Sequence, residues 1–198
     1  MATGPSYRVP YRRRKEGKTD YQQRKALILS KLPRIVVRGS LRHISAQIVK
    51  AKTTGDEVIA SANSGQLTKT YGWKGGCGNL SVAYLTGLLC GHRAVAHGVK
   101  KAVLDIGLQL PSRGARVFAV LKGVLDAGVV VPHEKEMLPD EKRVMGQHIV
   151  DYAKKLSSDQ EAYQKKFSKY LARDLRPEQL PEHFSAVKEK IVGDFKGK

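Results

Sequence analysis

An α/β fold built on one mixed sheet is what this 198-residue chain encodes, and three observations lead to it. Three short runs of β-branched or alternating apolar residues crowd together between residues 34 and 61. A long apolar stretch with three- and four-residue spacing separates them from a fourth such run, and a second amphipathic stretch follows. A helix lying between strands favours a crossover, which pairs the later strand in parallel with an earlier one. The expected architecture is a three-stranded antiparallel meander, a crossover helix, a parallel strand and a second helix. A basic arm (residues 1–33) precedes this core (residues 34–138), and a helical extension (residues 139–198) follows it. With 41% hydrophobic residues, a chain of this length can bury a real core.

The arm comes first. Residues 1–34 hold ten Lys and Arg against only Glu16 and Asp20. Such density of one sign repels itself, and no apolar periodicity appears before Ala26, so the segment awaits a polyanion. Arginine forks match phosphate oxygens, while Tyr7, Tyr11 and Tyr21 offer flat faces for unstacked bases. The arm therefore reads as an RNA-gripping device that orders only on binding. The excess continues beyond it: the whole chain carries 36 Lys and Arg against 18 Asp and Glu, for a net +18. A single basic tail on a neutral domain is excluded, and nucleic acid is the partner class indicated.

In the core, Arg34-Ile-Val-Val-Arg38 forms the first strand and Arg38-Gly-Ser-Leu41 the turn after it. Ile44, Ala46 and Ile48 then alternate with His43, Ser45 and Gln47, a hairpin with one wet face. Thr53-Thr-Gly-Asp56 turns the chain into a third strand, Glu57-Val-Ile-Ala-Ser61. Tyr71-Gly-Trp-Lys-Gly-Gly-Cys-Gly78 is too glycine-rich for regular structure and ends at Asn79, a helix N-cap. Leu80, Ala83, Tyr84, Gly87, Leu88, Gly91 and Val95 mark one stripe of a mostly buried helix stopped by Gly98. Lys101-Ala-Val-Leu-Asp-Ile106 is the parallel strand. The second helix spans residues 114–128, with Val117, Val120, Leu121, Val124 and Leu125 inward and Arg116, Lys122 and Asp126 outward; a brief Val129-Val-Val131 run ends at Pro132. In the extension, one helix is expected over residues 140–156, and Ser158-Asp-Gln-Glu161 is a capping box opening another with Tyr163, Phe167, Tyr170 and Leu171 on one side. A last short helix over residues 181–192 stops at Gly193. These helices are too polar for a second core and should lie on the first, or on a neighbour.

Three loops concentrate charge beside glycine. Arg38-Gly-Ser-Leu-Arg-His43 sets Arg38, Ser40, Arg42 and His43 around a tight hairpin tip, suited to RNA contact, although a solvated turn has the same pattern. Pro111-Ser-Arg-Gly-Ala-Arg116 opens a helix whose N–H groups can face phosphate beside Arg113, Gly114 and Arg116; an ordinary helix start reads alike. The 71–78 loop offers Lys74 for RNA contact, but its spacing matches neither G-x-x-x-x-G-K-[ST] nor G-x-G-x-x-G, so a nucleotide-binding loop is not indicated. Trp73 serves packing or stacking.

Nothing points to catalysis. The core acids are Asp56, Glu57, Asp105 and Asp126, and only Asp105 lies near a strand end, whereas a two-metal nuclease needs several converging carboxylates. The histidines (His43, His92, His97, His133, His148, His183) lack ligand spacing, so no metal or cofactor is expected. Cys77 and Cys90 suit a reducing compartment without a disulfide framework. The apolar stretch 80–99 is interrupted by His92, Arg93 and His97 and would make a poor membrane span. No secretory signal pattern opens the chain.

Residues 7–25, and above all Arg12-Arg-Arg-Lys-Glu-Gly-Lys-Thr-Asp-Tyr21, resemble the N-terminal signature of the archaeal and eukaryotic branch of the ribosomal protein L eighteen family. The resemblance continues through Ile35-Val-Val-Arg-Gly-Ser40, Ile44-Ser-Ala-Gln-Ile48, Thr70-Tyr-Gly-Trp73 and Leu85-Thr-Gly-Leu-Leu89. It implies a ribonuclease H-like sheet without that activity, in a structural constituent of the large ribosomal subunit. It also implies 5S rRNA as principal ligand at the central protuberance, with 23S rRNA and neighbouring large-subunit proteins as further partners, in the cytoplasm. No membrane or small-molecule substrate is implied. The family's RNA-contacting positions carry over onto Tyr7, Arg8, Tyr11, Arg12, Arg13, Arg14, Lys15, Lys18, Thr19, Tyr21, Arg24 and Lys25 in the arm. They carry over onto Arg38, Ser40, Arg42 and His43 at the hairpin and onto Arg113, Gly114 and Arg116 at the helix start. The alternatives are a nonspecific nucleic-acid binder, from charge alone, and a metal-dependent nuclease on the same sheet.

Overall fold

The computed structural model describes residues 4–195; the first three residues of the arm and the last three of the extension lie outside the described residues. Strands β1 (Arg34–Gly39), β2 (Ile44–Lys52) and β3 (Gly55–Asn63) form the antiparallel meander, and β4 (Val103–Asp105) adds to β1 in parallel, giving the order β3-β2-β1-β4. Alternation sets the faces: Ile35, Val37, Ile44, Ala46 and Ile48 are buried toward the helices. Arg34 and Arg38 lie on the opposite face, where both reach Asp105. The Val129-Val-Val131 run is an accessory to the sheet, joined by one parallel bridge between Val130 and Lys101.

The crossover helix α4 (Leu80–Ala96) follows a short helix α3 (Ser64–Thr70) that the polar sequence did not announce; Asn63 caps α3 and its side chain accepts from the Gly65 N–H. Asn79 caps α4 as expected, accepting from Val82 at 3.0 Å. The buried stripe follows the expected residues from Leu80 through Gly91, but Val95 is exposed and Ala94 is buried. Burial runs all round the helix from Leu80 to Gly91 and ends in its last turn, where Val95 and Ala96 are exposed.

Helix α5 (Arg116–Asp126) lies along α4, and their backbones nearly touch. A Cβ at Gly87 would overlap the Val120 carbonyl, and one at Gly123 would overlap that of Tyr84. The Tyr84 hydroxyl donates to Asp126 at 2.6 Å across this seam, and burial together with that acceptor pushes the phenol pKa up. Cys90 faces the sheet, where its thiol donates to the Ala46 carbonyl; burial raises its pKa to about 12, so it is an inert core residue.

In the extension the expected helix over 140–156 is broken into α6 (Glu141–Met145) and α7 (Gln147–Leu156) by Gly146, which adopts φ +92°. A Cβ there would press on Leu180, so the break leaves room for that side chain to reach the core. Helix α8 (Gln160–Leu171) is capped by Asp159, whose carboxylate accepts from Ala162 at 3.1 Å, and not by Ser158. Helix α9 (Leu180–Phe195) runs through Gly193. Leu180, Phe184, Val187 and Ile191 are buried in the main core, and that packing outweighs the roughly 1 kcal/mol by which glycine disfavours a helix.

Two further helices, α1 (Arg12–Lys15) and α2 (Tyr21–Leu29), lie in the arm, where none was expected, and neither buries a residue. Capping accounts for α2: the Asp20 carboxylate accepts from Gln22 and Gln23 at 2.8 and 3.2 Å.

The seam between α4 and α5 leaves no room for a side chain. Gly87→Ala should therefore lower stability by about 3 kcal/mol despite alanine's better helix propensity, whereas Gly193→Ala, in open space, should be neutral or stabilising. Urea denaturation of the two variants provides the comparison.

Candidate nucleic-acid interface

Three basic elements are held by different means. In the arm, Arg13 donates its Nε–H to Thr19 Oγ1 at 2.9 Å, and Lys18 pairs with Glu16 at 2.9 Å. Arg12 approaches the same Glu16 at 3.7 Å. Arg8, Arg14, Lys15 and Lys25 form no ion pair among the described residues. The rings of Tyr11 and Tyr21 rest on each other with centroids 4.9 Å apart, while Tyr7 stays half exposed.

The arm's root is tied to the sheet through a chain of charges. Arg24 donates to Asp56 Oδ2 at 2.9 Å, and Arg34 donates to the same oxygen at 2.7 Å. Arg34 also donates to Asp105 Oδ2 at 2.9 Å, and Asp105 Oδ1 accepts from Arg38 at 3.0 Å and from the Gly107 N–H at 3.0 Å. The Arg34 and Asp105 side chains are only 4% and 8% exposed, so this pair is a buried one. Asp105 is thus committed to two guanidinium groups, which is incompatible with a carboxylate awaiting a metal ion. Arg38 differs from the sequence expectation of a ligand held clear of the core: it folds back onto Asp105 and the Val37 carbonyl.

At the hairpin tip Ser40 closes the turn, its hydroxyl accepting from the His43 N–H at 2.9 Å, and His43 Nδ1 lies 3.2 Å from Ser64 Oγ. Arg42 makes no hydrogen bond or ion pair among the described residues, and Leu41 stands 97% exposed beside it. Arg116, at the start of α5, reaches the Ser40 carbonyl at 3.2 Å and the Gly78 carbonyl at 2.9 Å. The structure thereby brings tip, glycine loop and helix start together, but Arg116 is the staple among them. Gly114 has φ +66° and spends its N–H on the Met137 carbonyl at 3.0 Å, so that group is not offered to phosphate. Arg113 pairs with Glu136 at 2.9 Å in full solvent, a contact worth little and readily exchanged.

The glycine loop is held from the other side by the extension. Trp73 is buried, stacks on His183 with centroids 5.1 Å apart and donates to the Gly76 carbonyl. His183 Nε2 accepts from the Lys74 N–H at 3.0 Å, and Arg173 donates to the Lys74 and Gly75 carbonyls. The Lys74 side chain is left exposed. Among the described residues no group of three or more His, Cys, Asp or Glu could hold a metal ion, and no helix is long and apolar enough to cross a membrane.

The sequence reading overlooked the Arg34, Asp56 and Asp105 chain. A signal existed: arginines at both ends of an alternating strand share its face, and a strand face that carries two cations needs an acid beside it.

Two predictions follow from this geometry. Asp105→Ala leaves Arg34 buried without its main counter-ion and should cost about 3–5 kcal/mol of unfolding free energy, whereas the double change Arg34→Met with Asp105→Leu should recover most of it, both read by urea denaturation. The second concerns pH. Burial, then Lys74 and Lys190, hold the His183 imidazole below its ordinary value near 6.5, and burial acts the same way on His92. The unfolded chain takes up these protons first, so the stability linked to them is present above about pH 6.5 and declines as pH falls below it. Midpoints measured between pH 7.5 and 5.5 should drop, and His183→Gln, which keeps an acceptor without a titrating ring, should flatten the decline.

A family model described as "Ribosomal large subunit proteins 60S L5, and 50S L18" matches residues 5–101 and 96–134. Those spans take in the arm, the sheet and helices α3 to α5, and leave α6 to α9 outside. With well over half the chain matched, the chain belongs to this family of large-subunit ribosomal proteins, which are not enzymes.

Proposed function

We propose that this protein binds 5S rRNA and fastens it to the central protuberance of the large subunit, touching 23S rRNA and neighbouring ribosomal proteins as it does so. The observation that carries the reading is the arm: exposed cations on two short helices that bury nothing, tied to the sheet at the Arg24–Asp56 pair. Positive charge held away from a core, in large excess over the acids Glu16 and Asp20 beside it, is arranged for a phosphate backbone. Tyr7 adds an exposed ring on which an unpaired base can stack. The hairpin tip contributes Arg42, the helix start Arg113 and the glycine loop Lys74, while Arg38, Ser40 and Arg116 act by holding those elements in place. The boundaries follow the same division of labour, with an RNA-binding arm over residues 1–33, the α/β core over 34–138 and a helical extension over 139–198.

Each phosphate contact releases counterions, so affinity for 5S rRNA should fall steeply with salt. Removing residues 1–19 spares Asp20 and Arg24, and should leave the thermal transition intact while flattening the slope of log affinity against log salt by up to about five, at about 0.7 to 0.9 per phosphate for the six cations removed. Equal affinity of the full chain for duplex DNA and for 5S rRNA at one salt concentration would instead mark a nonspecific binder.

A further inference from the structure

Between the arm and the face of the sheet that carries Arg34 and Arg38 lies a cleft of about 630 Å³, a volume within the range of small-ligand sites. Its chemistry is divided. Leu27 of α2 and Val36 of β1 supply apolar surface from the arm's side and from the sheet's side of the space. Gln23 and Gln109 add amide edges, each with a donor pair and an acceptor. At the arm's side stand Arg13 and Lys18. Among the described residues Arg13 is held by Thr19 and has no acidic partner, and Lys18 pairs with the exposed Glu16 alone.

The carboxylates in the lining are already engaged. Asp20 caps α2, Asp56 serves Arg24 and Arg34, and Asp105 serves Arg34 and Arg38. The charge left over is therefore positive and comes from Arg13 and Lys18, while the sheet side offers the mutually paired Arg34, Asp56, Asp105 and Arg38 with Val36 and the amides beside them. A site for phosphate alone would need no apolar walls, and a site for an apolar side chain would not be rimmed by cations. We propose that this cleft receives one unstacked nucleotide of the bound RNA, its base lying between α2 and the sheet and its phosphate against Arg13 and Lys18. An extruded base finds faces to lie on in Leu27 and Val36, and the glutamine amides match the donor and acceptor pattern of a Watson–Crick edge. The inference rests on the RNA-binding reading and adds to it a base-sized receptor that the arm closes over the sheet.

The test uses the full chain and 5S rRNA transcribed in vitro. Methyl groups of Leu27 and Val36 are followed by NMR while affinity is measured by fluorescence anisotropy. The expected result is a shift of these methyls on RNA binding, none with millimolar adenosine or uridine monophosphate, and about a tenfold loss of affinity in Ala26→Trp. That substitution places an indole at the exposed lip of the cleft without removing a charge, so the salt slope should not change. Tight binding with unmoved methyls, or wild-type affinity in Ala26→Trp, would overturn the cleft and leave 5S binding standing. Saturable binding of a free mononucleotide would reassign it to a small-molecule ligand. Failure of the unmodified protein to bind 5S rRNA would instead remove the reading on which the inference rests.

Discussion

The pairing of Arg34 with Asp105 is the constraint around which the rest is arranged. Both side chains are withdrawn from water, and neither could stay there alone, because an ion held in a low-dielectric site without a partner costs several kcal/mol. Their attraction acts between the first strand and the last, where the parallel ladder is only three residues long. It also fixes what lies to either side. Asp56 is drawn in by Arg34 and holds Arg24, which sets the root of the arm. Asp105 holds Arg38 and the Gly107 N–H, which sets the loop leading to the second helix. One buried ion pair thus positions both borders of the basic surface.

The sheet order and the two core helices were legible because burial leaves a periodic mark. Ile35 and Val37 alternate, and Leu80, Ala83, Tyr84 and Gly87 recur with helical spacing. The N-cap at Asn79 was legible for a local reason, since its side chain serves a backbone group three residues away. What could not be read was partnership across long separations. Arg38, Arg42, Arg113 and Arg116 look alike in sequence, yet one is locked to a carboxylate, one is unengaged among the described residues, one holds an exposed acid and one staples two carbonyls. The break at Gly146 was hidden for the same reason: it serves Leu180, more than thirty residues on.

Lying outside the family match, the extension is nonetheless part of the fold's interior. Helix α9 contributes Leu180, Phe184, Val187 and Ile191 to the same core as the sheet. Its His183, with Arg173 and Tyr170 from the preceding segment, holds the glycine loop and the Asn79 cap region. Apolar residues that reach the shared core make the extension a cooperative partner in folding.

The anchoring of the arm at Arg24 has a kinetic meaning. Because the root is fixed to the sheet at Asp56, at the end away from the hairpin tip, the cations of residues 8–18 are confined to a limited volume, and on the RNA-binding reading proposed above a nucleic acid held by either element would meet the other at high effective concentration. Two modest grips joined in this way act as one long-lived attachment, since release requires both to let go together. On that reading each would open and close by itself, letting a protein seated by charge search for its final register before it is locked in.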